Sequence, residues 1–147
     1  MRAVLQRVSE ASVVVDDACV GSCGRGLLIL LGVGKEDTEQ DARRLWNKVF
    51  GLRIFADDAG KTNLSLADVG GEVLVVSQFT LYADCRKGNR PSFAHAASAE
   101  HGRRLYECFC ECASADVPHL GKGVFGADMQ VSLVNDGPFT VCLDTGH

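Results

Sequence analysis

The chain reads as an α+β domain: a mostly antiparallel, barrel-like β-sheet with two main helices. Three observations carry that reading. Short β-branched and aliphatic runs, separated by turn residues, recur along the whole chain. Only two segments, Thr38–Gly51 and Ala99–Cys112, place apolar residues at helical spacing. No repeat, low-complexity tract or linker interrupts the pattern, so residues 1–147 read as one domain.

The elements follow in order. Arg2–Val8 and Ala11–Val15 alternate as strands, and Asp16-Asp17 turns the chain into a short strand over Cys19–Ser22. Gly24-Arg25-Gly26 turns it again into Leu27–Val33. Thr38 with Asp41 three residues on is a variant of the capping box. Ala42, Leu45, Trp46, Val49 and Phe50 then share one face of the first helix, which Gly51 stops. Leu52–Phe55 and Asn63–Leu66 read as strands on either side of a turn at Asp57–Lys61. Val73–Leu81 reads as a buried central strand. The second helix faces inward with Leu105, Cys108, Phe109 and Cys112, while Cys110 points elsewhere. Pro118 and Gly121-Lys122-Gly123 break the chain, and two strands, Met129–Val134 and Phe139–Leu143, flank Asn135-Asp136-Gly137-Pro138.

Composition narrows the function. Hydrophobic residues make up 46% and charged residues 23% of 147, an ordinary globular balance. No apolar run approaches the ~20 residues that span a bilayer, and the N-terminus has no signal core, so a cytosolic protein is expected. A net charge of −4 argues against a positive coat for nonspecific nucleic-acid binding. A local patch of Arg86, Lys87 and Arg90 remains, which Arg2, Arg7, Arg103, Arg104 and Lys122 can join in space. The seven cysteines are odd in number and are expected to be reduced. Cys108-Phe109-Cys110-Glu111-Cys112 lacks CxxC and finger spacing, so neither a metal nor a cofactor is expected.

The densest chemistry lies at Ser77-Gln78-Phe79-Thr80-Leu81. An apolar strand ends there in two hydroxyls and an amide, followed by a basic loop; polar groups at such a place are costly unless paired or used. That order fits a polar, anionic ligand. No GxSxG elbow accompanies the hydroxyls, and His101 and His147 make poor bases. Gly32-Val33-Gly34-Lys35 lacks phosphate-loop spacing and reads as a strand-to-helix loop. Gly137-Pro138 reads as a structural corner, or as a rigid wall that presents carbonyl oxygens into a pocket.

Taken together, four segments in order resemble the D-aminoacyl-tRNA deacylases. They are Met1–Val8, Ser77–Leu81, Lys87–Phe93 and Asn135–Thr140, and the likeness covers essentially the whole chain. The resemblance implies a cytoplasmic homodimer that hydrolyses D-aminoacyl-tRNA, with its active site at the subunit interface and no membrane or DNA partner. It implies that Ser77, Gln78, Phe79 and Thr80 line the catalytic pocket. It further implies that Gly137-Pro138 is a cis corner that reaches into the other subunit, holds the substrate's α-amino group and excludes an L side chain. Arg7 would hold that corner, and Arg86, Lys87 and Arg90 would meet the tRNA. Thr80 stands open between nucleophile and pocket wall. Phe139 replaces the valine common after the Gly-Pro, and Ala96–Ala99 lacks a proline often found there. A non-catalytic RNA-binding module is the first alternative, opposed by the net acidity and the lack of an aromatic stacking platform. A small-molecule esterase using Ser77 or Thr80 is the second.

Overall fold

The computed structural model describes residues 1–146. Strand β1 (Arg2–Val15) is one long ribbon rather than two strands. It pairs antiparallel with β2 (Ala18–Cys23) at its far half and with β3 (Gly26–Gly32) at its near half. The turn into β2 uses two left-handed aspartates, Asp16 (φ 48°) and Asp17 (φ 64°), as expected for a tight hairpin. On its other edge β1 pairs antiparallel with β8 (Gln130–Asp144) along nearly its whole length.

The sheet is mixed. Strands β3, β6 (Glu72–Ser77) and β7 (Leu120–Lys122) run parallel to one another. The sequence hints at this, because β3 and β6 are apolar without alternation, the mark of strands buried on both faces. Leu27, Ile29, Leu31, Val73 and Val75 face one core, while Leu28, Leu74 and Val76 face another.

The barrel nearly closes where β2 meets β7. A Cβ at Gly21 would sit 2.3 Å from the Lys122 carbonyl oxygen, and one at Gly121 would sit 2.4 Å from that of Ser22. Only glycine permits so close a backbone approach.

Helices α1 (Glu39–Gly51) and α3 (Ala99–Asp116) cover the first core. The Thr38–Asp41 capping box is formed, and Gly51 is the last residue of α1. Trp46 is fully buried edge-on to Phe109 at 5.6 Å, and its Nε1 donates to Asp116 at 2.7 Å. Helix α3 runs past Cys112 to Asp116 and buries Cys110 as well as Cys108, because Tyr106 and Cys110 form a second inward row beside the Leu105–Phe109 stripe. All seven cysteines are free. One further turn, α2 (Leu66–Val69), follows the hairpin of β4 (Arg53–Ala56) and β5 (Thr62–Ser65). Among the described residues no helix is long and apolar enough to cross a membrane.

Candidate active site

Strand β6 ends at Ser77, four residues earlier than its apolar pattern suggests. Gln78 N–H still donates to the Leu31 carbonyl at 2.8 Å, and the chain then coils into a 3-10 turn over Phe79–Tyr82. The turn closes with Leu81 N–H on the Gln78 carbonyl at 3.3 Å and Ala83 N–H on that of Thr80 at 3.0 Å. A helical turn leaves its leading N–H groups without internal acceptors, and no side chain of Gln78 caps them. Those groups belong to Phe79 and Thr80.

The hydroxyl of Thr80 accepts from Gln78 Nε2 at 2.5 Å. An amide is no base, and among the described residues no histidine bonds Ser77 or Thr80. His101 Nε2 lies 2.9 Å from the Asp37 carbonyl oxygen, and His119 Nε2 lies 2.8 Å from that of Ser22. Ser77 and Phe79 open into a cavity of about 260 Å³, and Leu31, Ala97, Gly102 and Phe125 line its apolar wall.

The loop after the turn is pinned by Asp84 and Ser92, whose backbones exchange hydrogen bonds of 2.8 and 2.9 Å. This brings Phe93 against Phe79, edge-on with ring centroids 5.0 Å apart. Phe79 is 56% exposed and Phe93 36%, so an aromatic platform exists after all. The sequence hides it, because the two rings lie on opposite sides of the loop. Lys87 and Arg90 are exposed on that loop, but Arg86 is gripped by Asp84 at 2.9 and 2.6 Å. The Arg86 guanidinium holds the Asp84 carboxyl well below the usual carboxylate range. Arg104 and Lys122 pair with Glu39 and Glu107, so they do not join the patch.

The Gly137-Pro138 corner lies in β8. One residue of β1, Arg7, faces the bulge of Asp136–Phe139 between the Gln6–Thr140 and Val8–Asn135 pairs. The peptide bond is cis. Arg7 Nε donates to the Asp136 carbonyl at 2.8 Å, its Nη1 donates to that of Ile54 at 2.7 Å, and its guanidinium lies 4.6 Å over the Phe139 ring. Asn135 adds a second clasp that motif reading passes over. Its Nδ2 donates to the carbonyls of Arg7 at 2.9 Å and Phe139 at 3.2 Å, and its Oδ1 accepts from Phe139 N–H at 3.3 Å. A Cβ on Gly137 would lie 2.0 Å from the Phe139 nitrogen, so no side chain fits there.

The two motifs do not meet within one chain. Ser77 pairs with Leu31, Leu31 with Ala3 and Ala3 with Leu143. Those ladder steps, and the stretch of β8 back to Pro138, separate the motifs by roughly 20 Å.

The family model described as D-Tyr-tRNA(Tyr) deacylase matches residues 4–144. The chain belongs to this family. A D-aminoacyl-tRNA deacylase of Thermotoga petrophila is 57% identical over 145 residues, covering 99% of this chain and 97% of the relative. One from Roseiflexus castenholzii is 60% identical, covering 99% and 92%. Among solved structures, one titled c-Myc DNA Unwinding Element Binding Protein superposes with a TM-score of 0.93 at 40% identity, covering 99% of both chains. A probable eukaryotic D-amino acid tRNA deacylase shares the fold, with a TM-score of 0.83 at 20% identity and 97% coverage of both. The deacylase family thus spans both motifs and the long β1–β8 ladder that separates them.

Proposed function

We propose that this chain, as one domain over 1–147, hydrolyses the ester joining a D-amino acid to the 3′ end of a tRNA. The products are free tRNA and the D-amino acid, and a glycyl ester passes as well. The observation that carries the reading is the corner: exposed, clasped from two sides and far from its own chain's Ser77–Thr80 mouth. The resemblance to the deacylases implies that a second copy completes such an arrangement. The working form on this reading is a homodimer in the cytoplasm, with each corner seated in the other subunit's mouth. The outer edge of β8 carries no strand partner among the described residues, which suits such a contact.

Chemistry at the mouth is main-chain chemistry. Water attacks the ester carbon, the negative charge gathers on the carbonyl oxygen, and the ribose oxygen leaves with a proton. The N–H groups of Phe79 and Thr80 receive that oxyanion, at about 3–4 kcal/mol for each well-placed donor. Gln78 orients Thr80 and makes no nucleophile of it. Gly137 and Pro138 supply the chiral wall, with Arg7 as its brace. Steric exclusion needs no recognition of the D side chain, so glycine enters. Lys87 and Arg90, more than the paired Arg86, meet the tRNA, and the Phe79–Phe93 platform offers its unpaired 3′ end a stacking surface.

A deacylation assay decides the matter. D-tyrosyl-tRNA and glycyl-tRNA should be hydrolysed and L-tyrosyl-tRNA spared, with no comparable action on free D-tyrosine esters. An RNA-binding module would hydrolyse none of them, and a plain esterase would not depend on tRNA. Full resistance of glycyl-tRNA would contradict a steric wall.

A further inference from the structure

The turn that carries Phe79 and Thr80 is fixed at its near end by the β-ladder. Its far end ends at Tyr82, and what holds Tyr82 is a carboxylate from a different part of the chain. Asp37, in the loop before α1, has a side chain only 12% exposed. Its Oδ2 accepts from the Tyr82 hydroxyl at 3.1 Å and from Gly34 N–H at 2.6 Å. Its Oδ1 accepts from the buried α-amino group of Met1 at 2.5 Å. Arg2, the next residue, donates to the Leu81 carbonyl at 2.9 Å and lies 4.5 Å over the Tyr82 ring. The start of β1, the loop before α1 and the end of the turn are thus tied at one largely buried carboxylate.

We propose that Asp37 is a positioning residue: through Tyr82 it fixes the turn that aims the Phe79 and Thr80 N–H groups. The inference rests on the deacylase reading. Nothing in the motif segments points to it, because Asp37 lies outside all of them. A donor aimed at a developing charge acts in the transition state, so loosening its support should lower kcat and leave KM in place. A contact that matters only for folding would lower the melting temperature and leave kcat alone.

The test uses the full chain and D-tyrosyl-tRNA. Tyr82→Phe deletes one hydroxyl and keeps the ring, so the fold is retained. Its kcat should fall about fivefold, the worth of one such bond, with KM within about twofold. Asp37→Asn should cost at least about tenfold in kcat, and the double variant should be no worse than Asp37→Asn alone, since both changes cut one connection. Hydrogen exchange gives a readout independent of turnover: the Leu81 and Ala83 amides should exchange faster in both variants. Additive losses, a rise in KM at constant kcat, or unchanged exchange with a lowered melting temperature would each overturn the proposal. If the unaltered chain spares every D-aminoacyl-tRNA, the deacylase reading fails while the exchange experiment still judges the tie between Asp37 and the turn.

Discussion

On the proposed reading the segments Ser77–Thr80 and Asn135–Phe139 both offer main-chain atoms to the substrate, yet they are secured by different means. The first grows out of β6, whose Val73–Val76 are buried, and it is continuous with a ladder to Leu31. The second bulges from an edge strand and hangs on the side chains of Arg7 and Asn135. Cooperative backbone pairing spreads a local loss over many bonds; a clasp of a few polar contacts does not. The corner should therefore be the more fragile half of the proposed site, and fidelity more easily damaged than turnover.

Arg7→Ala should show the largest effect. It removes two bonds from a charged donor, worth about 3 kcal/mol together, so the D-to-L ratio of tyrosyl-tRNA hydrolysis should drop roughly a hundredfold. Asn135→Ala comes next, with a loss of about tenfold and a larger relative gain in L-tyrosyl-tRNA hydrolysis, read as the D-to-L ratio. Thr80→Ala should cost less than about fivefold in kcat, because the N–H stays when the hydroxyl goes. Abolished turnover in a folded Thr80→Ala protein that still binds tRNA would place the nucleophile on the side chain and erase the contrast.

The smallest effect is alkaline. Burial pushes the Cys23 thiol up to about 11 and the Cys110 thiol up to about 12. The fold prefers both thiols neutral, so their contribution is whole below the ordinary value of 9.0 and is lost as the pH rises through about 11 and then about 12. Cys23 packs with Leu74 and Val76, and Cys110 lies beside Tyr106, whose hydroxyl donates to the Val75 carbonyl at 3.0 Å. Melting curves recorded from pH 8 to 11 should thus show a shallow decline as the pH rises. At pH 8, a thiol reagent should label exposed Cys19, Cys85 and Cys142 ahead of these two.

Much of this was legible in the residues. The capping box at Thr38, the apolar stripe of α1 and the two site motifs are local, and local chemistry can be read from spacing. What escaped depends on distant partners. Ser77 ends β6 because Leu31 supplies the last ladder acceptor. Arg2–Val15 is a single strand because β8 pairs along it across Ser9 and Glu10. Closure of the barrel rests on Gly21 and Gly121, a hundred positions apart, and Asn135 earns its importance only when Arg7 lies opposite.

Arg7 reaches beyond the corner: its Nη1 ends on the carbonyl of Ile54, in the small β4–β5 hairpin that lies outside the main sheet. A two-stranded hairpin is weakly stable by itself and relies on the surface it leans on. On the proposed reading the brace of the chiral wall is thereby grounded in a hairpin that depends on its neighbours. On the proposed reading, warming should blur discrimination between mirror-image substrates at temperatures where the barrel, and hydrolysis itself, are still intact.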